Sequence, residues 1–419
     1  MGFPRGRRRL VVTVAALLAT VAAAAVVHRV LAPAEVSTVA RAEYPAAPQP
    51  SAGVVGRLPA APLIVDARLR VFAAHRQVYA DRPANGRYRT SPFWSYRRWP
   101  AELSGVVASG RTVISRWSDG RVVALDASTG RVLWRADGPV PPTGDAAVRR
   151  TGAATVWDPP GLYRAGLPGG RTVLVVTGDR QARGIELAGG RELWRVELPG
   201  SCRGDVGTTV TGQLVGLDTC AGPAAVEFRD AATGAVRERW RPAGAPDALV
   251  VTPLGCRTGR SECPALRTAG PGDAGGRGWL VGAGGPVPAA ALDPAGATVV
   301  GEEAVTVLDG TAVGRSARSG TELWRFGGLG PAARVLAAQP GRVHLLTQDN
   351  DLVTLDPATG TQLSRFRMNV GSDGTGWSPG AVATGDGYVA VERLRRPVDP
   401  DAEDLRYFLS SEPVILAVS

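Results

Sequence analysis

The chain has 419 residues and a formal net charge of +10 at pH 7, and all 48 of its basic residues are arginine. That length is large for one ordinary domain. Exclusive use of arginine is typical of a GC-rich coding sequence, and residues 1–41 alone carry six Arg and one Glu. The remaining charge forms no concentrated basic stripe, which argues against a nucleic-acid partner, and we predict none.

The N-terminus has the features of an export signal. Four arginines within residues 5–9 precede an uncharged run at residues 10–27. The run is close to the shortest length that spans a bilayer, and the positive charge before it keeps the N-terminus in the cytoplasm. We therefore predict a cytoplasmic tail at residues 1–9 and a transmembrane signal-anchor helix at residues 10–31, with the rest of the chain exported. The alternative is secretion after signal cleavage near residues 32–34.

The segment after this helix has the composition of a tether. Residues 32–62 are rich in Ala, Pro and Val and contain few helix or strand signals, so we predict an extended linker there. The folded domain then covers residues 63–419. Near its start, residues 88–99 hold five aromatic side chains, most of which we expect to pack in the core: Tyr88, Phe93, Trp94, Tyr96 and Trp99.

One ten-residue phrase recurs along the folded domain. Residues 126–135 read Asp-Ala-Ser-Thr-Gly-Arg-Val-Leu-Trp-Arg, and residues 316–325 and 186–195 are clear further copies. Weaker copies occupy residues 230–241 and 356–365. Because a recurring phrase of this kind marks one supersecondary unit stacked many times, the fold follows from it.

Each copy predicts a strand, a tight turn and a second strand. The acidic or Ser residue opens the turn, and the glycine that follows supplies a positive φ. The tryptophan lies on the second strand, where its large apolar face can cover the seam between neighbouring units. We predict purely structural roles for the glycines and tryptophans of the repeat, which are Gly130, Trp134, Gly190, Trp194, Gly234, Trp240, Trp279, Gly320, Trp324 and Gly360.

Four short strands in each unit of about 40 residues are typical of a β-propeller blade. The fold class is therefore all-β, a single β-propeller preceded by one N-terminal transmembrane or signal helix. The tryptophan spacing favours about seven four-stranded blades, with eight as the alternative. We expect the ring to close by pairing the C-terminal strands in residues 381–419 with the tryptophan strand at residues 93–99, because closure removes exposed sheet edges.

The phrase Asp-x-x-Thr-Gly-x-x-Leu-Trp-Arg resembles the repeat of the pyrroloquinoline-quinone (PQQ) enzyme-like propellers. That superfamily contains the quinoprotein alcohol dehydrogenases and also non-catalytic relatives, including an envelope scaffold lipoprotein. The resemblance covers most of the chain, and it implies the fold much more strongly than any chemistry. Its enzymes need a Trp platform for the quinone, carboxylates and an Asn for Ca²⁺, and often two adjacent cysteines.

This chain has no adjacent cysteine pair and only three asparagines, so we assign it to the non-catalytic branch. We predict no catalytic, cofactor-binding or metal-binding residue, and no cofactor. An acidic stretch at residues 399–404 could form a Ca²⁺ site, but a solvated loop is the simpler interpretation. The insertion at residues 139–170 carries Trp157 and Tyr163, and it is either a partner-binding loop over one face or a simple loop expansion.

Four cysteines fit an exported protein. We predict disulfides between Cys202 and Cys220 and between Cys256 and Cys263, although four cysteines allow three pairings. A metal site is a poor alternative because no Cys-x-x-Cys is present and the three histidines are scattered.

These features favour a membrane-anchored extracytoplasmic propeller that acts as a non-enzymatic binding or scaffold protein at the cell envelope. Its expected partner is a protein, a peptide or an envelope polymer bound on a propeller face, with membrane attachment through the N-terminal helix. The alternatives are a PQQ-dependent dehydrogenase and a sensor domain for a small ligand.

Overall fold

The computed structural model describes residues 12–23, 34–141, 151–220, 222–273, 275–369, 376–396 and 411–419. Within these residues the strands form eight antiparallel sheets around a central channel, and the protein is an eight-bladed β-propeller. The inner strands of neighbouring blades contact one another around the channel. The all-β propeller is confirmed, and the number of blades is the alternative, eight, and not the preferred seven.

In blades 1 to 7 the chain order of the strands is also their spatial order from the channel outward. Blade 1 contains Leu63–Val65, Leu69–Ala74, Gln77–Asp81 and Trp94–Trp99, and blade 2 contains Leu103–Ser109, Thr112–Trp117, Arg121–Asp126 and Val132–Asp137. Blade 3 contains Leu162–Gly166, Thr172–Thr177, Gln181–Glu186 and Glu192–Glu197, and blade 4 contains Arg203–Thr208, Gln213–Asp218, Ala225–Asp230 and Val236–Trp240. Blade 5 contains Val250–Leu254, Ala265–Ala269, Arg277–Gly282 and Gly285–Pro288, and blade 6 contains Thr298–Val300, Glu303–Leu308, Thr311–Ser316 and Glu322–Phe326. Blade 7 contains Arg334–Gln339, Arg342–Leu346, Asp351–Leu355 and Gln362–Arg367, and blade 8 contains Ser378–Gly385, Tyr388–Leu394, Val414–Val418 and Gly53–Leu58.

The ring closes through the N-terminal part of the domain. Gly53–Leu58 is the outer strand of blade 8 and pairs antiparallel with Val414–Val418. The expected closure through residues 93–99 is wrong, because Trp94–Trp99 is the fourth strand of a complete blade 1. The prediction merged blades 1 and 8 into one unit, since the closing strand carries no repeat phrase.

A fifth strand covers the outer edge of blade 1. Ala34–Thr38 pairs antiparallel with Trp94–Trp99, and all five of its residues are exposed. Glu35 on this strand accepts hydrogen bonds at 2.8 and 3.0 Å from Arg135 of blade 2, and it lies 3.3 Å from the Nε of Arg98. Two strands thus lie within residues 32–62, where the composition predicts a linker, because short Val-containing segments become strands when a sheet edge offers them a partner.

Tryptophans of the repeat dock onto glycines of the following blade. Trp134 Nε1 donates a hydrogen bond to the backbone oxygen of Leu187 at 2.9 Å. Its ring lies so close to Gly190 that a Cβ there would be 2.6 Å away. The same contact is made between Trp194 and Gly234, between Trp324 and Gly360, and between Trp94 and Gly130.

Blade 5 departs from this pattern. Trp279 lies on its third strand and not on the outer one, and its ring packs edge-on against Trp240 with the centroids 4.7 Å apart. Gly320 in blade 6 therefore keeps its positive φ of 74° but has no tryptophan against it. The repeat glycine is needed here for its backbone conformation alone.

Helices are few among the described residues. Residues 12–23 are helical, Ala153–Val156 forms one turn, and Pro168–Gly170 and Ala290–Leu292 are 3₁₀ turns. Within the part of the chain that the structure describes, no helix combines the length and the apolar character needed to cross a membrane. The acidic stretch at residues 399–404 lies outside the described residues.

Candidate functional site

The central channel contains a cavity of about 1130 Å³, referred to below as the central cavity. Its walls come from the inner strands and turns of several blades and from the segment that contains Ala153–Val156. Small side chains on the inner strands keep the space open, and these include Ala108, Ala337, Ala338, Ala381 and Ala383. The cavity is therefore a consequence of the short residues that line the innermost strands.

The first inserted segment, residues 151–160, enters the channel between blades 2 and 3. Thr151 accepts a hydrogen bond from Ala61 N at 2.8 Å, and its hydroxyl bonds to the buried Glu392 of blade 8. Trp157 donates from Nε1 to Pro62 O at 2.8 Å. Of the insertion at residues 139–170, expected to be either a partner-binding loop over one face or a simple loop expansion, residues 153–158 are part of the cavity wall. Trp157 and Tyr163 are 4% and 1% exposed, so neither is free for a partner.

Arg116 donates hydrogen bonds to residues before and after this inserted segment. Its side chain is fully buried and donates to the backbone oxygens of Pro139, Gly161 and Thr177 at 3.0, 2.8 and 2.6 Å. Burial lowers the pKa of Arg116 to about 10, so the guanidinium is still charged at pH 7. A guanidinium can hold several carbonyls at once because its donors lie in a fixed plane.

The second inserted segment is the disulfide loop of blade 5. Cys256 and Cys263 are bonded, as are Cys202 and Cys220 in blade 4, so both predicted disulfides are present. The loop between Cys256 and Cys263 leans onto blade 4, where Thr208 N donates to Arg260 O at 2.9 Å.

The two inserted segments meet in the channel. Arg260 Nε donates to Asp158 Oδ1 at 2.9 Å, and its guanidinium carbon lies 5.5 Å from the ring centre of Tyr163. Burial lowers the pKa of Arg260, but Tyr163, Asp158 and Asp205 together outweigh it and raise that pKa, so this side chain stays a cation. The contact joins the tail of one insertion to the tip of the other across the cavity wall.

A pair of arginines beside this contact shares one carboxylate. Arg164 and Arg257 lie 3.9 and 3.5 Å from the same oxygen of Glu262. Arg164 also donates to Ala108 O at 2.7 Å and to the Thr258 hydroxyl at 3.1 Å. Burial, with the charge of Arg257 in the same direction, lowers the pKa of Arg164, while Glu262 opposes the change. This wall of the cavity carries more positive than negative charge.

The carboxylates of the central cavity already have partners. Asp158 is bonded to Arg260, and Asp66 accepts a hydrogen bond from the Tyr44 hydroxyl at 3.1 Å. Asp386 accepts one from Ala67 N at 2.9 Å. Each of these three acids therefore accepts at least one hydrogen bond within the fold.

The described residues do not fit a PQQ and Ca²⁺ site. Asn350 donates to Asn369 Oδ1 at 3.4 Å in blade 7, and none of the asparagines lines the cavity. Among the residues that the structure describes, Trp157 is the only tryptophan in the cavity wall, and its indole donates to Pro62 O. In the described part of the chain, no group of three or more His, Cys, Asp or Glu is placed to hold a metal ion.

The predicted repeat residues and the site occupy different parts of the molecule. The repeat tryptophans and glycines lie in the blades and the seams between them, whereas Cys256 and Trp157, also singled out from the sequence, line the cavity. Sequence reasoning did not single out Arg164, Arg257 or Arg342, which the fold brings to the cavity wall. The one usable signal was the disulfide loop, whose short span holds Arg257 and Arg260.

No family model matches the sequence, and no curated protein is similar to it in sequence. Solved structures with some similarity include BamB from Moraxella catarrhalis, at 15% identity and a TM-score of 0.45 over 88% of this chain and 98% of that chain. The C-terminal WD40 domain of Sif2 is 10% identical, with a TM-score of 0.44 over 88% of this chain and 98% of that domain. Dihydro-heme d1 dehydrogenase NirN in complex with DHE is 15% identical, with a TM-score of 0.42 over 75% of this chain and 67% of that chain. At TM-scores below 0.5 these likenesses carry no argument, and the class of the protein, an eight-bladed β-propeller, rests on its own sheet topology.

Proposed function

We propose that this protein is a non-enzymatic binding or scaffold protein of the cell envelope that holds its partner through the central cavity. The observation that carries the proposal is the cavity itself. It is large enough for an extended ligand, each of its aspartates accepts a hydrogen bond within the fold, and small apolar residues form much of its wall. Such a wall suits binding.

The proposed location is extracytoplasmic, with the N-terminal segment as a membrane anchor and the propeller exported. Two disulfides support exposure to an oxidising compartment, because thiols stay reduced in the cytosol. The arginine cluster ahead of the apolar run supports the orientation. We also propose membership of the non-catalytic branch of the PQQ-like repeat propellers, supported by the repeat phrase and by the docking of its tryptophans onto glycines.

Site-directed photocrosslinking of the full chain in the cells that produce it tests the proposal. A photoreactive residue at Ala338, in the cavity wall, should give a discrete adduct with an envelope protein, peptide or polymer. The matched control carries the same residue at Leu363, which is 49% exposed on the outer strand of blade 7, and should give no adduct.

A catalytic assay tests the alternative that the protein is a PQQ-dependent dehydrogenase. The full chain would be titrated with PQQ and Ca²⁺ and then assayed for dye-linked oxidation of alcohols and sugars. Saturable binding with turnover would overturn the proposal and make the protein a quinoprotein dehydrogenase.

In the photocrosslinking experiment, adducts on the outer strand alone would keep the binding function but place it outside the cavity.

A further inference from the structure

We infer that the loop at residues 82–93 of blade 1, called the arginine loop below, is a second interaction surface that binds a linear polyanion, a chain with repeated carboxylate or phosphate groups. The loop lies outside the central cavity, so the inference goes beyond the proposed function of the cavity and does not depend on it. Three features of the loop support it: a fixed backbone, arginines without ionic partners, and the stacking of those arginines on aromatic rings.

A buried ion pair beneath the arginine loop holds its backbone in place. Arg70 and Asp81 are fully buried and form a bidentate pair, with N···O distances of 2.7 and 2.8 Å. Arg70 also donates to the backbone oxygens of Gly86 and, at 2.8 Å, of Tyr88, and Asp81 accepts from Thr90 N at 3.1 Å. Because the pair is neutral as a whole, it does not cancel the charge of the loop above it. The backbone is ordered before a partner binds, which lowers the entropy cost of binding.

Three arginines on this loop have no ionic partner. Arg82, Arg87 and Arg89 are exposed, and none of their guanidinium groups makes a hydrogen bond or ion pair with any described residue. Exposed arginines elsewhere on the propeller do find carboxylates, as Arg325 does with Glu322 at 2.5 Å. The loop itself contains no acidic residue. It therefore presents three positive charges that the fold leaves uncompensated.

Aromatic stacking fixes the positions of these charges. The three guanidinium carbons lie 5.0–5.3 Å from the centres of the rings that they cover, which are Phe93 under Arg82, Tyr88 under Arg87 and Tyr79 under Arg89. A guanidinium that stacks through its face keeps the N–H donors along its edge available for an anion. The loop is thus a fixed set of donors suited to carboxylate or phosphate oxygens.

The exposure of these arginines favours a partner with many linked charges. A single ion pair on the surface contributes little, because water and salt screen it. A chain that joins several anionic groups adds these small contributions, since each later contact forms within the complex. A flexible chain also adjusts its spacing to three fixed guanidinium groups. The arginine loop therefore suits a linear polyanion better than a free carboxylate or phosphate.

The position of the loop argues against lipid headgroups as the anion. Strand Trp94–Trp99 begins directly after the loop, and Ala34 pairs with Trp99 at the other end of that strand. The chain therefore reaches blade 1 from the end opposite the arginine loop. The membrane that we propose for the N-terminal segment lies on that opposite side, which leaves a polymer of the envelope as the partner that the loop faces.

Fluorescence anisotropy of the full chain in detergent tests the inference, with labelled poly-L-glutamate and labelled polyphosphate as the probes. At least one probe should bind, and added salt should weaken its binding. Arg82→Gln, Arg87→Gln and Arg89→Gln, combined in one chain, should lower the affinity by about tenfold or more, because three linked contacts are lost together. Thermal melting checks that this loop variant is folded, as expected for three exposed side chains.

A second triple variant is the matched control. Arg131→Gln, Arg171→Gln and Arg318→Gln remove the same charge from exposed positions in turns of blades 2, 3 and 6. Their combination should change the affinity by less than about twofold, since these arginines lie apart from the loop. The comparison separates a local site from the general attraction of a chain with a net charge of +10.

Several outcomes would overturn the inference. These are binding of neither probe to the parent chain, an equal loss of affinity in the two triple variants, and displacement of the probe by free glutamate or orthophosphate at equal charge. Tighter binding of a single-stranded DNA oligonucleotide than of either probe would assign the loop to nucleic acid and also overturn it. Of the two probes, the one bound more tightly identifies the anionic group. The Ala338 photoadduct should be the same in the parent chain and the loop variant, so failure of this inference can be told from failure of the proposed function.

Discussion

At the scale of single residues, blade 7 contains a buried histidine that cannot easily be protonated. His344 is fully buried on the second strand of blade 7, and the Gln339 amide lies 2.9 Å from its Nε2. Gly387 N donates to the Gln339 oxygen at 3.0 Å, which leaves the amide NH₂ to donate to His344. The histidine proton is then on Nδ1 and donates to Thr354 at 3.1 Å. This chain of bonds specifies a neutral imidazole.

His344 should make the protein less stable in mild acid. Burial and the charge of Arg342 lower its pKa to about 3, below the value near 6.5 of an unfolded histidine. Between these values the unfolded chain binds a proton that the folded chain does not, so stability is complete above pH 6.5 and falls as the pH falls. At pH 4.5 the loss is about 2–3 kcal/mol.

Urea unfolding at pH 7 and pH 4.5 measures this loss. His344→Gln should reduce the difference between the two pH values, although it lowers stability at pH 7. His75→Gln is the comparison variant, because His75 is exposed and takes no part in the buried hydrogen bonds of His344. An unchanged difference in His344→Gln would contradict the prediction.

A backbone position in blade 1 is open to improvement. Ala67 has a φ of 52° in the turn between the first two strands, next to Asp66 with a φ of 55°. An alanine in this left-handed region costs about 1–2 kcal/mol, and the extra backbone entropy lost by a glycine offsets part of that cost. Ala67→Gly should therefore raise the melting temperature slightly, by an amount equivalent to about 0.5–1 kcal/mol. Ala73→Gly, within the second strand, should lower it, and the opposite order of the two variants would refute the argument.

At the scale of the elements, the contact between a tryptophan and the next glycine joins the blades. Gly190 and Gly320 have nearly the same φ, 73° and 74°, but only Gly190 has a tryptophan ring against it. The two positions therefore separate backbone strain from steric overlap. Gly320→Ala should cost about 1 kcal/mol for its backbone alone.

Gly190→Ala should cost about 1–3 kcal/mol more than Gly320→Ala, because its Cβ would overlap the Trp134 ring. Thermal melting of both variants, followed by near-ultraviolet circular dichroism, gives the comparison. The near-ultraviolet signal should also change in Gly190→Ala, since Trp134 must move. Equal melting temperatures would show that the seam tolerates the methyl group.

The repeat phrase predicts some blades well and others poorly. Blades 2, 3, 4, 6 and 7 carry recognisable copies, and the turn glycine follows from local chemistry, as does the docked tryptophan where the copy has one. Blades 1 and 8 were merged because their closing strand, Gly53–Leu58, is short and becomes a strand only when Val414–Val418 is beside it. Such non-local pairing leaves no local signal.

The candidate site was hidden by composition. With 48 arginines in the chain, nothing in the neighbourhood of Arg164, Arg257 or Arg342 distinguishes them from arginines on the surface. Their placement around one cavity depends on how three separate blades are arranged, which only the fold determines. The disulfides were predictable because the spacing of their cysteines is local.

At the scale of the whole molecule, ring closure depends on a strand far from its partners in sequence. Removal of residues 1–52 keeps Gly53–Leu58 and should leave a folded propeller, although blade 1 loses its fifth strand. Removal of residues 1–58 exposes the edge of Val414–Val418 and the apolar surface that Leu58 covers, and should give an aggregated or protease-sensitive product. Limited proteolysis and size-exclusion chromatography compare the two truncations, and similar behaviour would mean that the ring does not need this strand.

The fifth strand of blade 1 also has a mechanical consequence. The chain enters the propeller through Ala34–Thr38, which is held by five residues of sheet pairing and by the ion pairs of Glu35. Only after residues 39–52 does it reach the strand that closes the ring. A tensile force applied to the N-terminal segment is therefore resisted first at blade 1, and the closing strand carries no tension until that pairing breaks. The fifth strand of blade 1 thus protects the closing strand of the ring from a force applied at the N-terminal segment.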